Sequence, residues 1–473
     1  MMKYYNVKML IFLALSIFLI QSCSDDTDLL GVDNATGNGD NTAEGARNGG
    51  NDNRNQSSQV VKKWTDLFLE IDRYSTGMRP NATARAIAYI NLAAYETAAP
   101  GMRNLNSNSL FLSGLEIDED QKGQRVDYEL ALNRAYSIVT DHFILTLPAA
   151  QRAKIAALEE SEEERLSRGR NNNSLNDSKE WGEYVAQQII SYSQTDSEAE
   201  TQILTPQPTS YVPPTGDGYW TFSAEPERAL FPYWESVRTF VVSPDETTTV
   251  PPITYSEDPS SAYYQPMQEV YDANNEARDE DGEQLHIAEF WSDDVENLMM
   301  SPPARQISIA NQLIDRRRLD LEEALHLLVK VGFALNDAAV STWKYKYEHM
   351  VMRPSVFVQE FIDPSYQTNL FTLIPWPNPT FPGYPSGHSS FASAAGGVFI
   401  DFFGDNINFT DRTHQGRTEF RGSPRKFKSF SDMAYENAYS RIPLGVHIEM
   451  DCEEGLRLGY EISDGINTYD LTK

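Results

Sequence analysis

The stretch Leu321-Glu-Glu-Ala-Leu-His-Leu-Leu-Val-Lys-Val-Gly-Phe-Ala-Leu-Asn-Asp-Ala-Ala-Val-Ser-Thr-Trp-Lys344 places apolar residues three and four apart, without strand-like alternation. That spacing predicts a helix with a broad buried face. The same period recurs over Val60 to Ile71, Ala82 to Ala98, Arg305 to Leu313 and Asp432 to Arg441. It also runs from Asp127 to Leu158, broken near Pro148, through Leu130, Leu132, Ala135, Ile138, Val139 and Phe143. Alternating patterns are scarce, and Phe240 to Val250 is the best strand candidate. Between Thr205 and Pro259 the chain is Pro-rich and aromatic, with turns such as Pro213-Pro214-Thr215-Gly216. A segment of that length is expected to wrap a surface rather than build a core of its own. No internal repeat is present. The periodicity predicts a mostly helical protein.

The 473 residues suffice for about three domains of ~150 residues or one large helical body. Lys and Arg number 39 against 69 Asp and Glu, a net charge of −30. Such a surface repels phosphate backbones and excludes nucleic acid as a partner class. With 40% hydrophobic residues, 24 Tyr and 22 Phe, the chain can bury a substantial core. Two cysteines rule out a disulfide-stapled scaffold and a Cys-rich metal site.

The first cysteine belongs to the N-terminus. Lys3 and Lys8 precede an apolar run from Met9 to Ile20, interrupted only by Ser16. The run is too short to span a hydrocarbon core of ~30 Å at ~1.5 Å per residue, and it suits the apolar region of an export signal. Leu19-Ile20-Gln21-Ser22-Cys23 resembles a bacterial lipobox, which implies that residues 1–23 form a lipoprotein signal peptide with Cys23 lipidated; the alternative is an ordinary secretory signal cut nearby. Ser24-Asp25-Asp26 resembles a short surface-export tag. The expected location is therefore outside the cytoplasm, on the periplasmic or cell-surface side of the outer membrane, with lipid as the only membrane contact. Residues 24–59, rich in Asn, Asp, Gly, Ser and Thr, cannot offset their ordering entropy and read as a flexible tether. With Cys23 lipidated, Cys452 is the only thiol left, and it reads as a small packed residue.

Three short segments collect what a tetrahedral oxyanion needs. In Lys346-Tyr-Glu-His-Met-Val-Met-Arg353-Pro354 the two cations are about two helical turns apart, which predicts a shared helix face. Pro354 disfavours helical geometry at Arg353 and places it at a helix end. In Tyr384-Pro385-Ser386-Gly387-His388-Ser389-Ser390, a Pro-Ser-Gly turn leads into a small-residue helix through Asp401 and offers a hydroxyl and backbone N–H groups. Gly387 permits close approach, and His388 can exchange protons near neutral pH. In Ser440-Arg441-Ile-Pro-Leu-Gly-Val-His447-Ile-Glu-Met-Asp451, a carboxylate one helical turn from His447 can fix its tautomer. Each segment alone is more often a solvated stripe, a plain helix cap or a packed helix.

Taken together, Lys346-x6-Arg353-Pro, Pro385-Ser-Gly-His388 and Ser440-Arg441-x5-His447-x3-Asp451 resemble the signature of the type-2 phosphatidic acid phosphatase/vanadium haloperoxidase superfamily. From about Ala82 to Gly459 the chain is similar to the haloperoxidase branch, at Phe231 to Phe240, Tyr255 to Pro259, Ala288 to Asp294, Ser301 to Pro303 and Asn336 to Trp343. Bacterial iodoperoxidases and fungal chloroperoxidases carry a Trp three before the Lys and a Phe seven before the histidine of Pro-Ser-Gly-His. Here these are Trp343 and Phe381, implied to flank the halide site.

The resemblance implies an all-α fold of two four-helix bundles with long Pro-rich connections and the oxyanion site in the C-terminal bundle. The corresponding division is 60–285, an N-terminal helical half with the Pro-rich wrap, and 286–473, a C-terminal catalytic half. It further implies vanadate as cofactor, with phosphate as its competitor. His447 would be the axial vanadium ligand, while Lys346, Arg353, Ser386, Gly387 N–H and Arg441 hold the equatorial oxygens. Asp451 would orient His447, and Asp294, or Asp293 beside it, would pair with Arg441. His388 would deprotonate hydrogen peroxide, and Lys346 would polarise the bound peroxide for attack by halide, iodide or bromide first. In the alternative, an acid phosphatase, His447 would form a phosphohistidine and His388 would protonate the leaving group. A non-catalytic glycan-binding lipoprotein would leave the oxyanion constellation without a role.

Overall fold

The computed structural model describes residues 58–223, 227–280, 282–292, 295, 297–369 and 378–473. The signal peptide, Cys23 and nearly all of the predicted tether lie outside them, as do Asp293 and Asp294. Helices dominate. The first half carries α1 (Gln59–Asp72), α2 (Asn81–Ala98), α3 (Tyr128–Phe143), α4 (Ala149–Ser167), α5 (Asn172–Gln194) and α6 (Ser197–Leu204). The second carries α7 (Tyr264–Glu280), α8 (Glu283–Phe290), α9 (Pro302–Arg317), α10 (Leu321–His349), α11 (Pro354–Phe361), α12 (Gly387–Phe403), α13 (Phe430–Tyr439), α14 (Arg441–Leu444) and α15 (Glu449–Thr468).

The all-α expectation holds, and its physical basis is visible in α10. A capping box closes its N-terminus, with Asp320 accepting from the Glu323 N–H while Glu323 reaches back to the Asp320 N–H. Its interior residues from Ala324 to Trp343 are almost all buried, and the helix packs against α2, α12 and α15. By length and hydropathy α10 could cross a membrane, but its apolar window is buried inside the protein. Helix α2 is buried along its whole length, and Trp181 of α5 donates Nε1–H to Thr97 O at 2.8 Å.

Helices α12 and α15 make the closest pairing that bears on the site. A methyl group on Gly455 would collide with Ser386 O, one on Gly459 with Ser393 Oγ and Ser390 O, and one on Gly397 with Ser463 Oγ. Small residues on both helices thus let the two backbones approach and bring the start of α12 against the start of α15.

Two sequence expectations need correction. Phe240 to Val250 is not a strand. The N–H groups of Phe240, Val241 and Val242 instead donate to the buried Asp337 carboxylate at 2.8, 2.9 and 2.9 Å, so one side chain takes the place of a partner strand. The strands among the described residues are β1 (Phe409–Asp411) and β2 (Arg425–Phe427), antiparallel with Phe409 opposite Phe427. The second correction concerns Lys346 and Arg353, which do not share a helix face. Met350 adopts φ 52°, a left-handed cap that ends α10, and Arg353 is the extended residue that precedes α11.

Among its described residues the Pro-rich wrap is irregular apart from one helical turn at Trp234–Ser236 and an isolated bridge from Tyr219 to Val351, and it is pinned by buried aromatics, Trp220, Phe231, Trp234 and Phe240.

Candidate oxyanion site

The three motif segments converge on one narrow cavity of about 20 Å³. Arg353, Gly387, His388, Arg441 and His447 line it, together with Trp343 and Phe381. Pro80, Pro302, Pro379, Phe391 and Val446 complete the wall. Sequence reading missed these five. Pro80 comes from the loop before α2, and no local pattern ties it to residues several hundred positions away.

Backbone carbonyls hold the two arginines. Arg353 donates Nε–H to Phe381 O at 2.9 Å and Nη1–H to Val446 O at 3.0 Å. Arg441 Nη1 donates to Trp291 O at 2.9 Å. Ser386 is the N-cap of α12, its Oγ accepting from Ser389 N at 3.4 Å, and its own N–H is fixed to Asp451 O at 2.9 Å. Gly387 is the first helical residue. A Cβ there would stand 3.5 Å from Trp343 Cζ3 and 3.9 Å from Lys346 Cε, so glycine keeps the positive helix end open to an anion.

Lys346 is placed differently from its expected part. Its Nζ donates to Pro382 O, Gly383 O and Pro385 O at 3.0, 2.9 and 2.6 Å, and it supports the 382–385 loop from behind the cavity wall. Burial, then the neighbouring Arg353, push its pKa well below the ordinary lysine value, with Asp451 opposing. The ammonium still lies 5.2 Å from the Phe381 ring centroid and 5.8 Å from that of Trp343.

His447 is not on a helix with Asp451, because α15 begins two residues after it. The pairing nevertheless forms, with Nδ1 3.0 Å from Asp451 Oδ2. Burial, then Arg353, Lys346, Arg441 and His388, hold the imidazole pKa well below its ordinary value. The ring is therefore neutral near pH 7. With Nδ1–H donated to Asp451, Nε2 is a lone-pair donor, and it accepts from Arg353 Nη1 at 3.2 Å. Asp451 itself is shifted upward by burial, against the Ile448 N–H, Lys346 and Arg353.

Behind Arg441 lies an ion pair that the sequence did not reveal. Arg305 is fully buried, donates Nη2–H to Asp411 Oδ2 at 2.9 Å and meets His414 Nε2 at 2.8 Å. Its guanidinium sits 4.4 Å and 4.6 Å from the ring centroids of Phe290 and Trp291. Trp291 is the residue whose carbonyl holds Arg441.

A family profile described as the VCPO second helical-bundle domain matches residues 326–471, the part that contains every motif residue. The chain is similar to the vanadium-dependent haloperoxidases. The vanadium chloroperoxidase of Curvularia inaequalis is 25% identical over 213 residues, which is 34% of this chain and 35% of that protein. The match thus spans about a third of the length of that relative. The first bacterial vanadium-dependent iodoperoxidase structure superposes with a TM-score of 0.77 at 28% identity, covering 88% of this chain and 98% of that one. A holo-type bacterial vanadium-dependent chloroperoxidase shares the haloperoxidase fold, with a TM-score of 0.66 at 16% identity, over 87% of this chain and 97% of that one.

Proposed function

We propose that this protein is a vanadate-dependent haloperoxidase that oxidises iodide or bromide with hydrogen peroxide to hypohalous acid. The observation that carries this reading is the cavity itself. A neutral, oriented imidazole nitrogen, two guanidinium groups, a helix N-terminus and a second histidine face one enclosed space. That donor set fits vanadate, a tetrahedral oxyanion whose metal takes a nitrogen ligand.

His447 Nε2 would be the metal ligand, with Asp451 fixing its tautomer. Arg353, Arg441, Gly387 N–H and the Ser386 hydroxyl would bind the oxygens. Lys346 would brace the 382–385 loop beside the anion through its three backbone hydrogen bonds. When bound, vanadate supplies Lewis acidity toward peroxide without a change in metal oxidation state. His388, on the cavity wall, accepts a proton from hydrogen peroxide and returns it to the departing hypohalite. Trp343 and Phe381 pack at 4.9 Å between ring centroids and form an apolar side of the cavity, which favours a large, weakly hydrated halide. The similarity to an iodoperoxidase supports iodide as the first halide to assay. The lipobox supports a lipid anchor at Cys23 outside the cytoplasm, testable by palmitate labelling of wild type and C23A.

The deciding assay strips the protein of metal, adds orthovanadate in phosphate-free buffer and follows peroxide-dependent oxidation of iodide and bromide. Vanadate-dependent oxidation that phosphate suppresses competitively is the expected result. No halide oxidation, with p-nitrophenyl phosphate hydrolysis by the metal-free protein, would instead make it an acid phosphatase.

A further inference from the structure

Among the described residues lining the cavity, only Pro379 and Phe381 are partly exposed, and the remainder are buried. The cavity therefore meets solvent at this segment. The Pro-rich wrap straps it from outside. Leu230 N donates to Thr380 O at 2.9 Å, Ser223 Oγ to Pro379 O at 2.5 Å and Gln207 Nε2 to Thr380 Oγ1 at 3.3 Å. Leu230 also joins the mouth to the cavity wall, since its carbonyl accepts Trp343 Nε1–H at 3.2 Å and the Tyr347 hydroxyl at 2.7 Å.

A file of tyrosines leads from that wall to the surface. The Tyr347 ring lies 5.5 Å from Tyr211, and the Tyr211 ring lies 5.9 Å from Tyr233. The three differ in reactivity toward an electrophile. Tyr347 is partly buried, and desolvation of its hydroxyl holds the pKa well above the usual value. Tyr211 is pushed up to about 12 by burial, and its hydroxyl is spent on Met350 Sδ at 3.6 Å. Tyr233, three residues past the strap at Leu230, is 44% exposed.

We propose that Tyr233 is a halogenation site, the first protein acceptor of the hypohalous acid that leaves the cavity. This rests on the haloperoxidase reading above. Hypohalous acid transfers its electrophilic halogen to the ring carbon ortho to the phenolic oxygen. The oxygen–halogen bond breaks as the carbon–halogen bond forms, and the displaced ring proton leaves with hydroxide as water. Position gives Tyr233 a higher local concentration of the oxidant than equally exposed tyrosines elsewhere. The protein holds its own control in Tyr435, 54% exposed on α13 and stacked on Tyr439. A freely diffusing oxidant would label Tyr435 at least as fast.

The test uses the full chain loaded with orthovanadate, given iodide and hydrogen peroxide without an organic acceptor and quenched after few turnovers. Iodotyrosine at each position is quantified by peptide mass spectrometry. A parallel arm omits vanadate and peroxide and adds preformed hypoiodous acid at a matched dose. The Tyr233-to-Tyr435 labelling ratio is expected to be about threefold or more higher during turnover than in the reagent arm. Y233F should remove that label, leave the initial iodide-oxidation rate unchanged and not raise labelling of Tyr435. Equal ratios in the two arms, with iodide oxidation proceeding, would overturn the proposal and leave the haloperoxidase reading intact. Absence of both iodide and bromide oxidation would withdraw both.

Discussion

Asp451 Oδ2 lies 3.0 Å from His447 Nδ1 and also accepts the Ile448 N–H at 3.2 Å, so one carboxylate oxygen orients the imidazole and caps α15. Coupling the two functions makes the tautomer of His447 a consequence of helix geometry. Removing the carboxylate frees the ring to rotate and exposes the last backbone N–H before the helix. D451A should therefore weaken orthovanadate binding by about 10- to 100-fold, as loss of a partner behind a metal ligand does. Isothermal titration with vanadate in phosphate-free buffer checks this. The variant should also lose about 1 kcal/mol of stability from the missing cap.

Two glycines at the same junction should respond in opposite ways. At Gly387 a methyl would meet Trp343 Cζ3 at an ordinary 3.5 Å and would occupy the approach to the first N–H of α12. G387A is expected to fold with an unchanged or slightly raised melting temperature while vanadate and phosphate affinities fall about tenfold, roughly one charge-assisted hydrogen bond. At Gly455 the methyl collides with the Ser386 carbonyl and Ser389 Cβ, so α12 and α15 must part. G455A should cost about 1–3 kcal/mol in urea denaturation. Similar affinities in wild type and G387A would remove the helix end from the anion site.

Arg305 reaches the site only through its neighbours. Its guanidinium packs on the Trp291 ring, and Trp291 O accepts from Arg441, so Arg305 is a positioning residue. R305A leaves Asp411 as a fully buried carboxylate without its guanidinium and should cost about 3–5 kcal/mol. R305K retains the charge and loses the fork and the stack. It should remain folded by circular dichroism yet bind phosphate about tenfold more weakly. A purely structural role would lower the melting temperature of R305K without moving that affinity.

The candidate site was legible because its motif residues are local in sequence. Lys346, Arg353, Ser386, Gly387, His388, Arg441 and His447 fall in three short segments, and the helical period of 321–344 is strong enough to read unaided. What was not legible is long-range. Pro80 and Arg305 join the site or its support through packing, and their immediate neighbours carry no sign of it. The strand expected at 240–250 failed because Asp337, nearly a hundred residues later, satisfies its N–H groups. The shared face of Lys346 and Arg353 failed because Met350 takes a left-handed conformation that a methionine does not announce.

Stability should depend on pH through a histidine far from the cavity. His326, on α10, packs edge-on to Phe402 at 5.0 Å, and its Nε2 has no hydrogen-bond partner among the described residues. Burial, then the nearby Lys330, lower its pKa to about 4, with Asp470 opposing. In the unfolded chain the ring titrates near the ordinary 6.5, so between pH 6.5 and 4 the unfolded state binds a proton that the folded state refuses. Stability is accordingly lost as pH falls through that window, by at most about 1.4 kcal/mol per unit from this group. The buried carboxylates Asp337 and Asp451, whose pKa values are raised, act in the opposite sense and mask part of the effect. H326L removes the group while keeping apolar bulk against Phe402. The difference in melting temperature between H326L and wild type should grow in favour of the variant as pH is lowered from 7 to 5. A constant difference across that range would show that His326 titrates alike in both states.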